Sequence, residues 1–86
     1  MPKISEFYGI VIYMYYLDHN PPHFHAVYGD YNALIDIENV ELITGFLPKK
    51  KLNLVLAWCE IHKVDLLLNW EYSKNQEKLF VIDPLH

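Results

Sequence analysis

The sequence predicts an α+β fold: one small domain over residues 1–86, a mostly antiparallel sheet meander with a C-terminal helical segment packed on one face. Three observations carry this. Short runs rich in β-branched and aromatic residues fill the first half, punctuated by glycine and proline. After Pro48 the apolar residues change to helical spacing. A last apolar run, Leu79-Phe80-Val81-Ile82, looks like a strand that Asp83-Pro84 ends. With 86 residues there is room for one core, and the chain shows no internal repeat, low-complexity tract or linker.

Taken in order, Ile4 to Tyr8 reads as an edge strand or lead-in that stops at Gly9. Ile10 to Leu17 is the strongest strand, apolar on both faces, and so is expected to be central or covered by a partner. Asp18 to Pro22 forms a turn, with Asn20 and Pro21 held extended because each precedes a proline. His23 to Tyr28 and Tyr31 to Glu38 are strands joined by a hairpin at Gly29-Asp30, with glycine first. Val40 to Phe46 is a further short strand. Pro48 opens the helix in its first turn. Leu52, Val55, Leu56, Cys59 and Ile61 form its apolar stripe, and Trp58 and His62 share a face four residues apart. Leu66, Asn69 and Trp70 continue at similar spacing, either in the same helix or after a break near Lys63-Val64. Ser73 to Lys78 reads as loop.

Composition bounds the function. Hydrophobic residues make up 52% of the chain and aromatics 15%, which is more apolar surface than so small a domain easily hides. An interface is therefore expected, with a small protein partner or in a homo-oligomer. The formal charge is −4, and all seven basic residues are lysines. Without the planar fork of arginine, reading a DNA sequence is disfavoured, while a small RNA held by lysines stays open. The single cysteine, Cys59, excludes an internal disulfide and fits a reducing, cytoplasmic setting. No signal-peptide pattern follows Met1-Pro2-Lys3, and the longest apolar run, Ile10 to Leu17, is too short to span a bilayer as a helix.

The chemistry concentrates in Asp18-His19-Asn20-Pro21-Pro22-His23-Phe24-His25, which holds three of the five histidines. On a strand, His23 and His25 project from one face while Phe24 points into the core behind them. Asp18 is placed to fix an imidazole tautomer, and the prolines stiffen the turn. Three readings follow. His19, His23 and His25 could bind a zinc-like metal with an open fourth position. His23 and His25 could work without a cofactor as an acid/base pair oriented by Asp18, as in RNA cleavage through the 2′-hydroxyl. Or the stretch is a structural turn.

Elsewhere, Lys49 and Lys50, with Lys51, stand at a helix N-terminus, where lysines and free N–H groups could steady a phosphate; a solvated face is the plainer reading. His62 could approach the histidine cluster or simply pack beside Trp58. Trp58 and Trp70 read as core or interface anchors. Tyr13, Tyr15, Tyr28 and Tyr31 could stack on bases or merely pack on a sheet. Cys59 reads as a buried thiol. Asp36 and Glu38 are possible carboxylate ligands of uncertain register.

These pieces are jointly familiar. Ile4-Ser5, Phe7-Tyr8-Gly9, Asp18 through Ala26, Tyr28-Gly29, Ala33, Ile35, Ile37, Gly45, Leu47-Pro48-Lys49, Trp58, His62, Asn69-Trp70, Ile82 and Pro84-Leu85 resemble the small bacterial family called domain of unknown function 4160. The His-Asn-Pro-Pro-His-Phe-His run is the most specific part. Lys49-Lys50-Lys51 departs from the lysine–arginine mixture expected there, and the loop before Leu79 lacks the expected glycine and prolines. The resemblance implies a cytoplasmic bacterial protein that is half of a two-gene unit of toxin–antitoxin type, acting with a small protein partner. If the chain is the active half of such a pair, the expectation is a metal-independent ribonuclease with His23 and His25 as the acid/base pair, Asp18 orienting an imidazole and Lys49 or Lys50 steadying phosphate. The alternatives are a non-enzymatic protein-binding module and a zinc-type hydrolase.

Overall fold

A computed structural model describes residues 2–86; Met1, the first residue of the Met1-Pro2-Lys3 start read above, lies outside them. Five strands are followed by two helices: β1 (Lys3–Phe7), β2 (Ile10–Tyr13), β3 (His23–Tyr28), β4 (Tyr31–Asp36), β5 (Glu41–Gly45), α1 (Lys49–Ile61) and α2 (Lys63–Lys74). The strands form one antiparallel sheet in the order β1-β2-β3-β4-β5, so each pairs with its neighbour in sequence. This is the expected α+β meander with helices on one face.

Alternation along the strands decides which face the helices cover. Ile10, Ile12, Phe24, Ala26, Ala33 and Ile35 are buried, whereas Val11, Tyr13, His25, Val27 and Leu34 are only half-buried. Burying one face gives period-two patterning. Val55, Trp58 and Cys59 of α1 and Leu66, Asn69 and Trp70 of α2 supply the facing layer. The Trp58 ring meets Phe24 edge-on at 5.5 Å and Phe7 at 5.2 Å, joining helix to sheet. Both tryptophans are core residues.

Several expected boundaries move. The strand expected over Ile10 to Leu17 is only four residues long, and its second face is not fully covered. Leu17 takes a left-handed φ of 55°, and its N–H bonds to the Ser73 carbonyl, so the end of α2 draws the chain away from the sheet. Pro48 stands one residue before the helix, and Ile61 is exposed rather than part of the stripe. The helices break at His62, next to the expected Lys63-Val64. α2 runs on to Lys74, taking in the first two residues of the stretch expected as loop, and Asn75 to Lys78 are turn and coil as expected; the buried Ser73 hydroxyl donates to the Trp70 carbonyl within the helix.

The expected last strand is absent from the sheet. Leu79 to Ile82 is held by a side chain instead. Asn69 accepts the Phe80 N–H at 3.0 Å and donates its amide to the Phe80 carbonyl at 2.9 Å. Ile82 gives its N–H to the Ile4 carbonyl at 2.8 Å, and Trp58 donates to the Asp83 carbonyl at 2.8 Å. The segment thereby covers the outer edge of β1 without forming a ladder. No helix among the described residues is long and apolar enough to cross a membrane.

Candidate functional site

The histidine turn sits where β2's continuation meets the start of β3, over the C-terminal end of α2. Two hydrogen bonds hold it in place. The Pro22 carbonyl accepts the Ile37 N–H at 3.0 Å, which ties the turn to the end of β4. The His19 N–H donates to Asp18 Oδ1 at 2.9 Å, folding the carboxylate back over its own backbone. The Asn20–Pro21 peptide is cis.

Asp18 Oδ2 is the hub. His23 Nε2 lies 2.9 Å from it and His25 Nε2 lies 3.7 Å from the same oxygen. His23 Nδ1 is 2.7 Å from the Pro21 carbonyl, which can only accept, so this nitrogen carries a proton. A neutral His23 then turns the bare Nε2 lone pair toward a carboxylate. His25 Nε2 is buried and has no hydrogen-bond partner, because 3.7 Å is too long for one. One donor atom from each of Asp18, His23 and His25 lies within 4.8 Å of the others.

Aromatic rings fix the imidazoles. His23 is buried against Trp70, with ring centroids 5.2 Å apart, and His25 meets Tyr15 edge-on at 4.4 Å. Burial, helped by the neighbouring His23, lowers the pKa of His25; Asp18 opposes this. Burial pushes Asp18 up, but the His19 N–H and the two imidazoles outweigh it and hold its carboxyl below the usual value. Asp18 and His25 keep partial solvent access, with side-chain exposures of 26% and 21%.

The other candidates disperse. His19 is exposed and outside the group of three. Lys49 and Lys50 are exposed at the start of α1, where Lys51 stands over the Tyr28 ring at 4.9 Å and reaches the Tyr8 carbonyl. Tyr28 is the far end of β3 from His23, about 17 Å away at ordinary strand rise. The fold therefore does not bring these lysines to the histidines. His62 ends α1 with its ring 5.6 Å from Trp58. Asp36 is held on both oxygens by Asn39, at 3.1 Å each, and Glu38 is exposed. Tyr15 and Trp70 were missed as supports of the imidazoles. For Trp70 no local signal existed, since it lies 47 positions from His23; Tyr15 could have been found only from the path of the turn.

A family model described as "Domain of unknown function (DUF4160)" matches residues 9–71, a span that includes the whole histidine turn. No curated protein and no solved structure gives a match to the chain.

Proposed function

The chain belongs to the DUF4160 family, a domain of unknown function, and we propose that it is the partner-binding member of a two-protein unit of toxin–antitoxin type, taking an extended segment of a small protein along β5. The contrast between the two sheet edges carries this reading. Each edge strand has one extra residue that forms a bulge: Ile4 in β1 and Ile43 in β5. On β1, Ile4 is 1% exposed and its carbonyl is taken by Ile82. On β5, Ile43 is 43% exposed, and Leu42 and Phe46 beside it are exposed as well.

Lysine, proline or a bulge discourages pairing at an edge strand. The β5 sequence Glu-Leu-Ile-Thr-Gly has the bulge but neither lysine nor proline. Tyr31 packs its ring 5.4 Å from Phe46 and extends the apolar row. Glu38 and Glu41 flank it, which suits a partner segment of alternating apolar and lysine or arginine residues. The ribonuclease form of the reading has less support: His23 and His25 both turn Nε2 toward Asp18 rather than toward a cleft, and the lysines stand at the other end of β3.

The test is co-expression with the product of a small gene adjoining this one, the partner the proposal requires, followed by size-exclusion chromatography with light scattering. An equimolar complex is expected for the parent, and its loss for Ile43→Lys at unchanged circular dichroism. A complex indifferent to Ile43→Lys, or a β5-mediated homodimer in its place, overturns the reading. Growth arrest by the chain alone, relieved in a His23→Ala/His25→Ala variant, would restore the ribonuclease form.

A further inference from the structure

We propose that Asp18 Oδ2, His23 Nε2 and His25 Nε2 together bind one divalent transition metal of the zinc type, leaving a solvent-facing position open. This goes beyond partner binding at β5 and rests on different atoms. The argument begins with lone pairs. Three atoms able to ligate a metal converge, and the Nδ1–H···O contact with Pro21 leaves His23 Nε2 as the coordinating nitrogen. A backbone carbonyl on the other ring nitrogen is the usual way in which a metal-binding imidazole is oriented. A single proton on His23 Nε2 would satisfy the pair with Asp18, but it would leave His25 Nε2 buried and partnerless. A cation at the centre satisfies all three.

The distances fit. Zinc holds nitrogen and oxygen donors at about 2.0–2.2 Å in a tetrahedron, which places donors about 3.3 Å apart. The separations of 2.9 and 3.7 Å from Asp18 Oδ2 bracket that value, and all three donors lie within 4.8 Å of one another, so a shared ion would draw the two imidazoles inward. Asp18 Oδ1 is already engaged by the His19 N–H, which leaves Oδ2 to coordinate alone. The donors are nitrogen and oxygen, with no sulfur: Cys59 is buried in the core, 3.9 Å from the Ile37 carbonyl. That set suits zinc and its divalent neighbours over copper(I) or an iron–sulfur cluster. Packing of His23 on Trp70 and His25 on Tyr15 holds the rings before a metal arrives. Three protein ligands plus an open position is also the arrangement that lets zinc carry a reactive water. His19 has no part in this set.

The experiment is titration of the chelator-treated, dialysed chain with Zn²⁺ against a chromophoric competitor, with Co²⁺ as a spectroscopic substitute. One ion per chain is expected, with a four-coordinate cobalt spectrum. Asp18→Asn and His25→Gln should each weaken binding about tenfold or more, while His19→Gln leaves it unchanged. Circular dichroism of the metal-free variants separates lost ligands from lost fold. Should a variant fail to fold, nitrogen spectra of the parent decide: zinc must shift the Nε2 signals of His23 and His25 and spare those of His19 and His62. Lack of equimolar binding, indifference to both variants, equal loss in His19→Gln, or unmoved Nε2 signals each overturn the proposal. The assay uses the chain alone, so its failure does not touch the β5 reading.

Discussion

Asn69 does with one side chain what a neighbouring strand does elsewhere: it accepts from and donates to the backbone of Phe80. It is fully buried, so its loss leaves a donor and an acceptor without partners at about 1–3 kcal/mol each. Asn69→Ala should therefore lose about 2–6 kcal/mol in urea denaturation, and amide exchange should quicken over residues 79–83. Cys59 gives a pH prediction. Burial, reinforced by Glu60, raises its thiol from 9.0 to about 12. A group whose folded value is raised adds stability that is complete below its unfolded value and lost as pH climbs toward the folded one. Melting temperature should thus fall between pH 9 and 12 less steeply in Cys59→Ala than in the parent, each measured against its own value at pH 8. At pH 8 the parent thiol should resist alkylation until denaturant is added. At this scale the histidine turn was legible because it is local: eight consecutive residues hold every donor. The place of Lys49 and Lys50 was not, because it depends on where a helix begins in space. Sequence spacing alone assigns Asp18 one imidazole to orient, whereas its Oδ2 lies near two of them, at 2.9 and 3.7 Å.

Gly45 shows what holds β5 in register. Its φ is +90°, and a Cβ there would lie 2.2 Å from the Asn32 carbonyl oxygen. Gly45→Ala should cost about 2 kcal/mol or more, since both backbone and neighbour are strained. Gly29→Ala, at φ +57° with open space around it, should cost about 1 kcal/mol. Chemical denaturation of the two variants measures the difference, and equal losses would refute the steric account. The first five strands were readable from composition and turns because each pairs with the next in sequence. Leu79 to Ile82 misled for an instructive reason. Its apolar residues are what an edge-covering segment needs as much as what a strand needs, and only the position of Asn69 decides between them. The end of α2 was hidden in a similar way: Ser73 looks polar by type, yet its hydroxyl is satisfied inside the helix and the residue is buried.

At the scale of the whole molecule, the helices and the C-terminal segment cover one face and one edge, leaving the other face half-open and the β5 edge free. Removing residues 79–86 should do more than shorten the chain. It uncovers Ile4, strips the Trp58 N–H of its acceptor and frees both bonds of Asn69. The expected outcome is a product that light scattering finds associated rather than monomeric, since both sheet edges would then be open. A stable monomer with the parent's melting temperature would show that the segment is dispensable.

The order of the strands has a consequence for birth on the ribosome. Because spatial order equals sequence order, each hairpin can close as soon as its second strand emerges, and no strand waits for a distant partner. The outer side of β1 is the exception. Its cover, residues 79–83, is made after everything else in the domain, so the earliest strand translated is the last to be sheltered. Throughout that interval the nascent sheet has two bare flanks, and from the moment Ile82 docks it has one.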